Sequence, residues 1–405
     1  MTAPSDSGWT GVLRGVVDRS HLITGDQLSP MVDELVHALH LTAEVYLVDL
    51  GQTVLTPVRV DGVAQAPVET GAAGRAYQLG EIVEETDADG TRLLWVPMLD
   101  GTERAGVLRI GLGASVRDDA DLRRDVWSLS GLMGHIVMAK IPYSDRLRRM
   151  RNAGGLSVAS ELMWQMLPPR TMATEEVVIT AILEPHDRVA GDAYDYSVDS
   201  RIATLAVYDG LGHDFAATQS TALALTAVRN SRRAGVTDLV ALAAHADEML
   251  LAQPEPLRFV TAVLASLDTR TGVLRYLLAG HPAPLLIRDG RLVKELAQPP
   301  RPPLGVRGGH PGEVHEERLV PGDRVLLYSD GITEARDHTG EFFGEQRLVE
   351  FTERAERDGL AAPETLRRLG AAVMEHQRGR LQDDATLLLV DWSAASHTRL
   401  FPSSP

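Results

Sequence analysis

Aspartates beside a strand end or a turn recur in the second half of the chain, at Gly191-Asp192, Asp209-Gly210, Asp330-Gly331 and Asp383-Asp384. Singly, Asp-Gly is a turn dipeptide. Asp61-Gly62 and Asp289-Gly290 read as turns and nothing more. Two contexts differ, because the apolar runs Ile202–Tyr208 and Arg324–Ser329 lead straight into Asp-Gly. A buried strand end delivers a carboxylate into a low-dielectric mouth, where an unpaired anion is costly. Several such anions repel one another unless a cation sits among them. Mg²⁺ and Mn²⁺ take oxygen ligands and keep several waters. Two such ions together clamp a phosphate and lower the pKa of a bound water. Glycine after aspartate leaves the next carbonyl free to approach a metal.

Composition removes other chemistries. The chain has 405 residues, enough for two or three domains, with 44% hydrophobic and 24% charged residues. A net charge of -16 argues against a general nucleic-acid binder and against docking on anionic lipid. With no cysteine, thiolate mechanisms and disulfide scaffolds are absent. The lysines are Lys140 and Lys294, and neither follows a glycine, so a GxxxxGK[ST] phosphate loop is missing. The N-terminus carries no charged-then-apolar signal pattern, and no apolar run approaches the ~20 residues of a membrane span. A cytoplasmic location without membrane contact is the expectation.

The elements that must position the aspartates occupy residues 173–393. Val177–Leu183, Ile202–Tyr208, Val260–Asp268, Val273–Ala279, Arg324–Ser329 and Leu387–Asp391 read as strands. Thr271-Gly272 and Asp289-Gly290 are hairpin signals. Phe215–Arg229, Leu239–Leu251 and Pro363–Gln377 read as helices. Hairpins and grouped helices predict an α+β domain with antiparallel sheets. Residues 1–25 read as a flexible N-terminal segment and 394–405 as a flexible tail. Residues 141–172 read as a linker helix, with Leu156, Ala159, Leu162, Met163 and Met166 on one face, in which a proline at 159 should be disruptive.

Residues 26–140 run helix, two strands, short helix, two strands, long helix. Gly71-Ala72-Ala73-Gly74-Arg75-Ala76-Tyr77 followed by Gly80-Glu81-Ile82-Val83 is similar to a stretch common in GAF domains, which are small α/β sensor modules with a central antiparallel sheet. The resemblance implies a sensor or dimerisation domain that takes a small-molecule or protein signal.

Residues 177–392 resemble the SpoIIE branch, with its RsbU-like regulators, of the type 2C (PPM) metal-dependent protein phosphatases. The matching stretches follow the family's order: Ala190-Gly191-Asp192-Ala193-Tyr194-Asp195, Asp209-Gly210-Leu211-Gly212-His213, Phe259-Val260-Thr261-Ala262, Ala279-Gly280-His281-Pro282-Ala283-Pro284-Leu285, Pro303-Leu304-Gly305, Tyr328-Ser329-Asp330-Gly331-Ile332-Thr333-Glu334-Ala335 and Asp383-Asp384-Ala385-Thr386. The resemblance implies an αββα sandwich that binds two divalent cations, Mn²⁺ or Mg²⁺. Asp209 would bridge them, with the Gly210 carbonyl also a ligand and Asp192 at the first ion. Asp330 and Asp383 would hold the second, with Asp384 beside them. Asp209 and Asp192 are the implied catalytic positions. The implied reaction is hydrolysis of phosphoserine or phosphothreonine by a metal-activated water. The implied substrate is a phosphorylated anti-anti-sigma (STAS-type) protein in a partner-switching pathway, and the implied assembly is a homodimer. Where the family often has Gly-Gly-Asp this chain has Ala190-Gly191-Asp192, and where it often has Gly this chain has Asp214.

His213 and His281 each have two readings, a general acid for the leaving serine oxygen or a turn residue bonded to backbone. The competing function is a catalytically silent binding module of the same fold. A two-metal nuclease is disfavoured by the acidic charge.

Overall fold

The computed structural model describes residues 8–59, 64–152, 157–184, 191–212, 214–253, 259–308, 310–379, 381–393 and 396–400. Val60, Asp61-Gly62, Leu156, Ala190 and His213 fall outside them. The chain divides into two compact units, residues 1–155 with 400–405, and residues 156–399.

The first unit carries α1 (Trp9–Ser20), α2 (Leu28–His37), β1 (Leu41–Val48), β2 (Val54–Pro57), β3 (Ala66–Pro67), α3 (Gly71–Leu79), β4 (Val83–Thr86), β5 (Arg92–Asp100), β6 (Glu103–Leu112), α4 (Ala120–Lys140) and α5 (Asp145–Arg151). Its sheet is antiparallel, in the order β3-β2-β1-β6-β5-β4. Alternation along β1 sends Ala43, Val45 and Leu47 into a core shared with α2 and α4, while Tyr46 and Val48 join Tyr77 and Trp95 in a second cluster that includes α3 residues. The expected flexible segment before residue 26 is corrected here. Residues 9–20 are helical, because Val12 and Val16, one turn apart, insert into that core.

The second unit begins with α6 (Val158–Met166), β7 (Thr171–Ala173), β8 (Val177–Glu184), β9 (Asp192–Asp199) and β10 (Ile202–Gly210). Next come α7 (Phe215–Arg233), α8 (Leu239–Leu251), β11 (Val260–Asp268), β12 (Val273–Ala279), β13 (Leu285–Arg288) and β14 (Arg291–Glu295). β15 (His315–Arg318), β16 (Asp323–Tyr328), α9 (Asp330–Thr333), α10 (Gly344–Arg357), α11 (Ala362–His376) and β17 (Ala385–Trp392) complete it. One sheet has the order β15-β12-β11-β10-β9 and the other β14-β13-β16-β17-β8-β7, all antiparallel. β9 touches β8 and β17 across the layers. Helices α7 and α8 pack on the first sheet, α11 on the second. Ile179, Leu183, Tyr194, Leu205, Val263, Leu327 and Leu388 meet in a core common to both sheets. The result is a two-sheet sandwich flanked by helices, as the alternation of hairpins and helices predicts.

The expected single linker helix over 141–172 is also corrected. It is broken into a 3₁₀ turn (Ile141–Tyr143), α5 and α6, with α5 in the first unit and α6 in the second. Pro142 and the start signals at Ser144 and Ser157, whose side chains accept from Leu147 N and Ser160 N, explain the breaks. Within α6, Ala159 and Met163 are buried, whereas Leu162 is 42% exposed. In the tail, Ser396–Arg399 form a 3₁₀ turn and Leu400 is buried, so residues 396–400 are not a loose end.

Candidate functional site

Strand β10 runs past its expected end. Asp209 and Gly210 stay in the ladder, with Asp209 opposite Asp192 of β9 and Thr261 of β11. Directly opposed residues of antiparallel strands project to the same face, with Cβ atoms ~5 Å apart. Asp192, Asp209 and Thr261 therefore form one row at the end of the first sheet. In the second sheet Tyr328 pairs with Leu387 at the last rung. Beyond it Ser329 N donates to Thr386 O at 3.0 Å, and Thr386 N donates to Ser329 Oγ at 3.0 Å. This clasp places Asp330, which opens α9, next to Asp383 and Asp384, which precede β17. Gly331 cannot be replaced there without collision, because a Cβ would run into the Asp384 carbonyl.

The ends of the two sheets meet at Gly191. Its N–H donates to Asp384 Oδ2. Its carbonyl accepts from Gly210 N at 3.1 Å and from the Thr221 hydroxyl of α7 at 2.5 Å. A Cβ on Gly210 would strike Thr221 Oγ1, so glycine is needed for this approach. Helix α7 is capped by Asp214, whose carboxylate accepts from Ala217 N at 3.0 Å. The acidic residue at the position where glycine is common is thus a cap. Farther along, Asp195 of β9, 3% exposed, accepts from Arg229 at 2.6 Å and Arg232 at 3.0 Å, both on α7.

Electrostatics show the crowding. Asp192 is 2% exposed, and burial, then Asp209 and Asp384, push its carboxyl well above the ordinary range. Asp209 is raised to about 8 by burial, Asp330 and Asp383, with a smaller push from Asp384. Asp330 is raised by burial, Asp383 and Glu334. The hydroxyls of Ser329 and Thr386 lie near enough to Asp192 to favour its charged form. Even so, neither Asp192 Oδ2 nor Thr386 Oγ1 has a hydrogen-bond partner. A buried carboxylate oxygen thus stands unsatisfied within the cluster.

All the aspartates singled out in the sequence are therefore neighbours. Asp192 and Asp384 are buried, Asp209 and Asp330 half-buried, and Asp383 exposed. Among the described residues, no three histidine, aspartate or glutamate side chains close tightly enough to hold an ion as they stand. Still, oxygen donors that raise one another's pKa, with one orphaned buried oxygen, match the demand of hard divalent cations. Gly210 contributes a carbonyl at the same strand end. Sequence reading gave Thr221, Ser329 and Thr386 no part. The available signal was polar side chains within one or two residues of the aspartates, at Ser329 and Thr386. Thr221 carries no such mark.

Residues 199–393 match the family model described as Stage II sporulation protein E (SpoIIE). Among curated proteins, Protein IcfG of Synechocystis is 31% identical over 133 residues, covering 33% of this chain and 20% of IcfG. Phosphoserine phosphatase RsbU of Bacillus subtilis is 22% identical over 238 residues, covering 58% of this chain and 69% of RsbU. A structure of the RsbU and RsbW domains of Rv1364c from Mycobacterium tuberculosis is 28% identical with a TM-score of 0.46, over 54% of this chain and 62% of that one.

Proposed function

Because residues 199–393 match the SpoIIE family model, we propose that the chain is a metal-dependent protein serine/threonine phosphatase of the type 2C kind. The observation that carries the reading is the convergence of Asp192, Asp209, Asp330, Asp383 and Asp384, from two sheets, on one mouth where each raised carboxyl owes its shift to burial and to its neighbours. The family is metal-dependent. Asp192, Asp209, Asp330 and Asp383, with the Gly210 carbonyl, are the residues that would hold two divalent cations, Mn²⁺ or Mg²⁺. When bound, they supply positive charge against the phosphate and acidify a water.

The chain's own residues do the rest. The Thr221 and Gly210 bonds to the Gly191 carbonyl fix the backbone next to Asp192. Asp384, whose Oδ2 takes the Gly191 N–H, ties the sheets together and serves the cluster as an anchor. The Ser329–Thr386 clasp sets the spacing of Asp330 from Asp383.

The substrate class we propose is a phosphoserine or phosphothreonine protein, in line with the similarity to Phosphoserine phosphatase RsbU. A STAS-type anti-anti-sigma factor fits that relationship. The first unit would be a GAF-like regulatory domain answering a small-molecule or protein signal and joining two copies of the chain, which we place in the cytoplasm. No helix is long and apolar enough to cross a membrane among the described residues. The test is manganese-dependent hydrolysis of para-nitrophenyl phosphate and of a phosphoserine protein, in the parent and in Asp209→Asn. Turnover in the parent and none in the variant supports the enzyme. No turnover in the parent with any divalent cation supports the alternative, a catalytically silent module of this fold.

A further inference from the structure

His281 lies behind the carboxylate row. It follows Gly280, whose φ of +67° and close approach to Pro303 leave no room for a Cβ without displacing that ring. An isolated bridge joins Gly280 to Ala262 of β11, so backbone pairing, not a mobile loop, seats the histidine. The side chain is 5% exposed. Its Nδ1 lies 2.8 Å from the Thr261 hydroxyl, and Thr261 stands opposite Asp209. Its Nε2 is buried and has no hydrogen-bond partner. An acid that protonates a leaving group must reach that group. A ring seated by paired backbone, with one nitrogen engaged and the other buried, does not.

In the neutral tautomer with the proton on Nε2, Nδ1 is an acceptor and Thr261 the donor. A hydroxyl has one proton, and once it is given to His281 it is not available to Asp209. We propose that His281 is a positioning residue, a fixed neutral acceptor that holds the Thr261 hydroxyl proton away from Asp209 and so leaves both Asp209 oxygens free for cations. The proposal rests on the metal-dependent reading of the site. Burial, which drives the ring's pKa down to about 3, agrees with a histidine that stays neutral throughout the working range.

The experiment is calorimetric Mn²⁺ titration of the full chain, with melting curves as a folding check. His281→Leu removes the acceptor and should weaken Mn²⁺ binding about fivefold, the effect of one competing hydrogen bond. His281→Asn, whose amide oxygen reaches the Nδ1 position, should restore it. Thr261→Val in the His281→Leu background should also restore it, since no hydroxyl remains to compete. Nitrogen-15 shifts of His281 should show a neutral Nε2–H ring unchanged from pH 5 to 8. If Thr261→Val leaves the loss in place, or the ring titrates in that range, the proposal is overturned. A parent that binds no Mn²⁺ overturns it together with the phosphatase reading, whereas a parent that binds Mn²⁺ while the double variant shows no rescue overturns the proposal alone.

Discussion

Asp192 and Asp209 stand directly opposite each other in adjacent antiparallel strands, where like charges are destabilising. A folded protein that keeps a buried and a half-buried carboxylate in this register, with Asp330 and Asp383 pressing from the other sheet, carries a standing electrostatic cost. That cost gives the cluster measurable consequences.

Asp209→Asn should abolish turnover and, in chelator at pH 8, should raise the stability of the protein. The amide is near in shape and removes one charge, so a gain on the order of 2 kcal/mol is expected. Urea denaturation in EDTA measures it. A variant that is unfolded or clearly less stable would make Asp209 a structural residue.

The same cluster sets a pH dependence without metal. Asp209 moves from 3.8 to about 8 on folding, so between those values the folded state holds more protons than the unfolded one. Stability contributed by this group is complete below the lower value and is lost as pH rises through the upper. From about pH 7 to pH 8, above the range in which His281 of the unfolded chain loses its proton, metal-free protein should therefore become less stable, and Asp209→Asn should flatten the slope. Acids held low, such as Asp337, titrate below that window and do not oppose it. Melting temperatures that rise across this range in EDTA would contradict the coupling.

Much of this arrangement was legible in the sequence. Gly-flanked aspartates at the ends of apolar runs were visible because the runs themselves are strand-like, and the Asp289-Gly290 turn has both residues at positive φ, 50° and 66°, as its dipeptide predicts. Strand β9 was not legible. Its sequence Asp-Ala-Tyr-Asp-Tyr-Ser-Val-Asp has aspartates where strands usually avoid them, and Asp195 is tolerated by its two arginine partners from α7. Helix α10 hides in a polar segment, buried through Leu348, Thr352 and Ala355. The Asp192–Asp209–Thr261 row depends on register between distant strands, which no local pattern encodes.

Asp195→Ala should strip two arginines of their shared partner inside the sandwich. Breaking a buried pair costs about 3–5 kcal/mol, less where the partners reach some solvent, as Arg229 and Arg232 do. A loss of ~2–4 kcal/mol in denaturant titration is expected. A change within error would mean that α7 is seated by its apolar face alone.

A proline at 159 is a weaker disruption than the sequence pattern implies, because Ala159 lies in the first turn after the Ser157 cap, where proline is tolerated. Leu162→Pro falls farther inside α6 and should cost roughly 3 kcal/mol. Since α6 packs on α7, whose Thr221 holds the Gly191 carbonyl, turnover should fall with it. Leu162→Pro with full activity and stability would show that α6 is a passive spacer.

The most direct measurement is anomalous diffraction from crystals soaked in Mn²⁺. Two peaks among Asp192, Asp209, Asp330 and Asp383, with Asp209 touching both, are the predicted result. Peaks elsewhere, or no peak at this mouth in crystals of protein that binds Mn²⁺ in solution, would contradict it.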